Sequence, residues 1–117
     1  MGSLTTHVLD AAQGKPAKGV PIALYRVRGE VRELVREAVT NSDGRIGEPL
    51  LTGARFEADA YELVFEIGAY FSNQGVPADE PPFLDAVTVR FTVSDSASHY
   101  HVPLLATPWS YTTYRGS

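Results

Sequence analysis

Residues 61–67 read YELVFEI. Tyr61, Leu63, Phe65 and Ile67 alternate with Glu62, Val64 and Glu66, the two-residue period of a strand with one buried face. A helix over the same residues would scatter the apolar side chains around its surface. GAYFSNQ (68–74) then breaks the alternation and reads as one helical turn. Downstream, DAVTVRFTV (85–93) alternates again and sets Val87, Val89, Phe91 and Val93 on one side.

Upstream the same grammar continues. LTTHVLDA (4–11) is rich in strand formers, QGKPAKG (13–19) breaks it, and VPIALYRV (20–27) is a second strand ending near Gly29. VRELVREAVT (31–40) fits a helix by propensity. However, Val31, Leu34, Val35, Ala38 and Val39 also suit a half-buried strand between the hairpin-like RG and NSDG, and a strand is expected. NSDGR (41–45) is a tight turn, and NQGVPADEPPF (73–83) is a proline-rich loop. The closing HYHVPLLATPWSYTTYRGS (99–117) yields two strands, about 98–106 and 110–116, joined at TPW. Pro103 falls inside the first, where proline is tolerated at an edge or where its missing donor faces no partner.

This gives seven or eight strands and one short helix in a single domain spanning residues 1–117. The fold class is all-β, with two stacked antiparallel sheets burying the alternating positions. An immunoglobulin sandwich is the generic alternative, but its cysteine pair is missing.

Composition narrows the function. Net charge is −4 with a pI near 5.2, which argues against binding nucleic acid or an anionic membrane. Arg26, Arg28, Arg32 and Arg36 are interleaved with Glu30, Glu33 and Glu37, the pattern of a solvated strand face. The absence of cysteine excludes disulfides, thiolate catalysis and cysteine-held metal. No apolar run approaches the roughly 20 residues that span a bilayer. MGSLTTHVLD shows no basic region followed by an apolar stretch, so the expected compartment is the cytoplasm.

Histidine carries the chemistry. His99 and His101 are two apart on one strand and share a face with Pro103 and Leu105, opposite Tyr100, Val102 and Leu104. His7 shares a face with Thr5 and Leu9, and Tyr114 with Thr112. Three readings of the imidazoles stand open on spacing alone. They are unconnected side chains, or metal-free general acid–base groups, or a zinc site built from His7, His99 and His101. No nucleophile elbow, phosphate loop, HExxH or dinucleotide fingerprint is present. Arg45, just after the Asp-Gly turn, is by itself an ordinary turn arginine.

Four stretches together resemble the 5-hydroxyisourate hydrolases, the enzyme branch of the transthyretin-like family. They are LTTHVLDAAQGKPAKGVPIALYRV, NSDGR, YELVFEIGAYF and HYHVPLLATPWSYTTYRGS, and they cover nearly the whole chain in order. The terminal YRGS is the most specific, because hormone-carrying transthyretins lack it. Trp109 and the ADEPPFLD loop depart from the expected pattern without touching the matched positions. The resemblance implies a transthyretin-like sandwich of eight strands and one short helix. It also implies a homotetramer, a dimer of dimers with active sites in a central channel. The implied reaction opens the six-membered ring of 5-hydroxyisourate by adding water to a ring carbonyl, with no cofactor and no metal. On this resemblance His7, Arg45, His101 and Ser117 are catalytic, and Tyr114 and His99 bind substrate, His99 from the same face as His101. The alternative is a non-enzymatic carrier of a small aromatic ligand.

Overall fold

The computed structural model describes residues 2–116. Its strands are β1 (Ser3–Asp10), β2 (Lys15–Pro16), β3 (Pro21–Arg28), β4 (Val31–Val39), β5 (Leu51–Thr52), β6 (Ala60–Phe65), β7 (Val87–Thr92), β8 (His99–Ala106) and β9 (Tyr111–Thr113). A single α-helix, α1 (Ile67–Gln74), follows β6. One sheet runs β2-β1-β8-β9, with β5 also pairing β1, and the other runs β4-β3-β6-β7. The all-β sandwich expected from the alternation is therefore present, with β2 and β5 as two-residue additions to the strands read from sequence.

The alternating residues do what their period requires. Tyr61, Leu63 and Phe65 are fully buried, and Val87 and Val89 pack beside them from β7. Leu4 and Val8 of β1 and Leu104 of β8 close the core from the other sheet. The helix buries Ile67, Gly68, Tyr70 and Phe71, and the Tyr70 hydroxyl donates to Asp10 Oδ2 at 2.8 Å. That bond ties α1 to the end of β1, and burial with Asp10 alongside holds the Tyr70 phenol well above its ordinary range.

Two details refine the sequence reading. β4 is a strand, and its awkward pattern comes from a bulge: Leu24 pairs Arg36 while Tyr25 pairs Leu34, leaving Val35 without an opposite residue. Val35 and Ala38 pack against the core while Val31, Leu34 and Val39 stay exposed, as suits an edge strand. Of the interleaved arginines and glutamates, Arg26 pairs with Glu33, whereas Arg32 and Arg36 pair outside the set with Glu62 and Glu48.

The final strand is shorter than expected, and Pro103 is the reason. β8 lies between β1 and β9, so Pro103 is not on an edge. In the register of β8 with β9, Leu104 faces Thr113 and His101 bridges Gly116, which sets Pro103 opposite Tyr114. Proline has no N–H to give at that rung. Its carbonyl is taken instead by the Thr113 hydroxyl at 2.8 Å, and regular pairing stops at Thr113. The ladder resumes only at Gly116, whose N–H donates to the His101 carbonyl at 2.7 Å.

Among the described residues all strand pairings are antiparallel except one. β1 and β8 run parallel, with Ser3 beside His99, Thr5 beside His101 and His7 beside Pro103.

Candidate active site

The parallel pair places three imidazoles on one face. Ser3, Thr5 and His7 are half-buried on β1, whereas Leu4, Thr6 and Val8 between them are buried in the sandwich. Across the pair, His99 and His101 project on the same side. The His7 and His101 rings are 6.4 Å apart, and those of His99 and His101 6.5 Å apart and nearly parallel.

The NSDGR turn brings in the arginine from the opposite edge of β1. Asn41 Oδ1 accepts from the Asp43 and Arg45 amides at 2.9 and 3.2 Å, closing the turn on itself. Gly44 has φ +74°, and its carbonyl accepts from the Val8 amide at 2.8 Å. A Cβ there would run into the Val8 carbonyl, so only glycine allows both the left-handed turn and the docking. Arg45 consequently bridges to His7. Among the described residues it forms no ion pair, so its charge is left for the site.

The same turn orients His7. His7 Nε2 lies 3.1 Å from the Asp43 carbonyl, which can only accept. A neutral His7 therefore carries its proton on Nε2 and keeps the Nδ1 lone pair free. His101 Nδ1 lies 2.8 Å from Thr5 Oγ1, and His99 is held between Ser3 and Thr5. Desolvation and then the Arg45 charge push the basicity of both His7 and His101 below the ordinary imidazole range. Neighbouring His7 and His99 add to the effect on His101, whereas Asp43 opposes it at His7. Both rings are thus neutral near pH 7, the state of a proton acceptor.

Arg45, Ile46, Thr5, His99 and His101 line an open depression of about 350 Å³. The structure brings together His7, Arg45, His99 and His101. Tyr114 is exposed beyond the end of β9 and lines a separate apolar cleft with Val89, Phe91 and Val102. Arg115 stacks on Tyr100, its guanidinium 3.9 Å from the ring centre, away from the imidazoles. Ser117 lies outside the described residues. Thr5, Asp43 and Gly116 also shape the site. Thr5 had a sequence signal in its shared face with His7, while Asp43 and Gly116 lay inside the quoted NSDGR and YRGS without being singled out. Among the described residues no group of three or more His, Cys, Asp or Glu side chains could hold a metal ion.

A sandwich with a histidine–arginine depression on one sheet is a transthyretin-type architecture. The chain belongs to the HIUase/Transthyretin family, whose model matches residues 4–116. It is 59% identical to the 5-hydroxyisourate hydrolase of Deinococcus radiodurans, over 97% of this chain and 95% of that one. Among solved structures, (S)-allantoin synthase superposes with a TM-score of 0.94 at 47% identity, over 99% of this chain and 44% of that one. The 5-hydroxyisourate hydrolase of Klebsiella pneumoniae matches with a TM-score of 0.82 at 35% identity, the full length of both chains.

Proposed function

We propose that this chain is a hydrolase that opens the ring of 5-hydroxyisourate in urate breakdown. The observation that carries the reading is the convergence of His7, Arg45 and His101, where desolvation and the Arg45 charge hold both imidazoles below their ordinary basicity. The relatives bearing that activity are similar over nearly the full chain.

The chemistry follows from the groups. A neutral imidazole, His7 or His101, takes a proton from water as the oxygen attacks a ring carbonyl. The other imidazole orients the water or returns a proton to the leaving nitrogen as the C–N bond breaks. Arg45 offers a rigid fork of donors to the carbonyl and its developing oxyanion. Ser117 completes the pocket in this reading, and Tyr114, which lines its own cleft in the single chain, is brought to it by assembly into a homotetramer built as a dimer of dimers. A half-open depression on one subunit becomes an enclosed site when a second subunit covers it.

The test is the decay of ultraviolet absorbance of freshly generated 5-hydroxyisourate. Wild-type protein accelerates the decay over buffer, and His101→Asn reduces kcat by about 10²-fold or more. A wild-type rate equal to that of buffer favours the carrier reading, and unchanged turnover in the variant removes His101 from the chemistry.

A further inference from the structure

The His101 ring is gripped along both of its edges. On one edge, Nδ1 lies 2.8 Å from Thr5 Oγ1. On the other, the Gly116 backbone lies so close that a Cβ added to Gly116 would sit 2.7 Å from His101 Cδ2 and 3.3 Å from Cβ and Cγ. Gly116 does not have a left-handed φ, so the glycine is required there for space and not for backbone freedom. With both flanks held, the distal Cε1–Nε2 edge is the one left to face the depression that His101 lines.

Hydrogen-bond bookkeeping around Thr5 gives the grip a direction. The Thr5 hydroxyl has one proton and two imidazole neighbours, His101 Nδ1 at 2.8 Å and His99 Nε2 at 3.4 Å. Beyond them, Ser3 Oγ lies 2.6 Å from His99 Nδ1. One assignment satisfies every member and leaves His101 able to act as a base. His101 Nδ1–H donates to Thr5, Thr5 donates to His99 Nε2, and His99 Nδ1–H donates to Ser3. The reverse chain puts the proton on His101 Nε2, where it would block acceptance of a proton from water.

We propose that Thr5 and Gly116 are positioning residues that clamp His101, Thr5 holding it as the Nδ1–H tautomer with the Nε2 lone pair facing the substrate. The inference rests on the reading of His101 as a catalytic group. It assigns a specific role to the glycine of the terminal YRGS and to a threonine outside the family's catalytic set. Thr5 also lines the depression, but in this scheme both residues act on the reaction through the imidazole.

The experiment compares Thr5→Val, Thr5→Ser and Gly116→Ala with wild type. Thr5→Val keeps the side-chain shape and removes the hydroxyl. Its kcat falls about 10- to 100-fold with KM changed little, the loss expected of a misaimed catalytic group. Thr5→Ser restores most of kcat, and Gly116→Ala loses kcat as Thr5→Val does. Nitrogen-15 NMR of the folded proteins supplies the readout that a structural role would not move: His101 is the Nδ1–H tautomer in wild type and Thr5→Ser, and shifts toward Nε2–H in Thr5→Val. Wild-type kcat and tautomer in Thr5→Val overturn the proposal, as does failure of Thr5→Ser to recover. His101→Asn separates the two levels. If it turns over like wild type, the catalytic reading fails. If it is inactive while Thr5→Val and Gly116→Ala are untouched, only the clamp fails.

Discussion

Arg45 acts on both imidazoles through space, since its charge lowers the basicity of His7 and of His101 alike. For a group whose pKa is depressed, the neutral form persists to lower pH. The acid limb of kcat/KM should then lie below pH ~6.5, the free imidazole value. Arg45→Gln removes one of the two main lowering influences and leaves desolvation. The limb should therefore move upward toward the free value, with His99 still opposing charge on His101 and Asp43 still favouring it on His7. The same change should lower kcat about 10²- to 10³-fold through loss of the oxyanion donor. A pH–rate profile from pH 5 to 8 checks both effects, and an unmoved limb would sink the electrostatic role. Strand parity made the shared face of His99 and His101 legible from residue types. The approach of Arg45 was not, because it depends on a turn docking across a strand far from it in sequence. Ser117 remains a proposed pocket residue on the strength of YRGS alone.

Elements were legible where apolar period and turn chemistry agreed, as in β6, β7 and α1. They were harder to read where one residue disturbed a ladder. The Val35 bulge made β4 ambiguous with a helix, and Pro103 ended β9 three residues before the expected limit of 116. The link between the segment entering β3 and the NSDGR turn was invisible in the sequence. Thr40 sits just before NSDGR, is 4% exposed, accepts from the Val20 amide at 2.9 Å and donates to the Ala17 carbonyl at 2.7 Å. Thr40→Val keeps the volume but strands a buried donor and a buried acceptor. It should cost about 1–3 kcal/mol, read from urea unfolding. An unchanged midpoint would mean that water replaces the hydroxyl there.

At the scale of the whole molecule, the face bearing the imidazoles is also the one the proposed assembly would enclose. Trp109, Tyr111 and Tyr114 are all about half exposed in the single chain, at 51%, 45% and 58%. Native mass spectrometry should give four times 12.7 kDa, and a monomer would remove the enclosed channel from the scheme. The sandwich itself was readable from sequence, but the pairing of β1 with β8 was not, because alternation fixes faces and not neighbours. That parallel pair also governs when the site can form. Thr5 and His101 are 96 residues apart, so β1 waits for the much later β8 before its main ladder closes. Contacts of such long range come late and slowly in folding. The candidate site is therefore a certificate of completion: a chain that stops short of β8 lacks His99, His101 and the ladder that sets them beside Thr5 and His7.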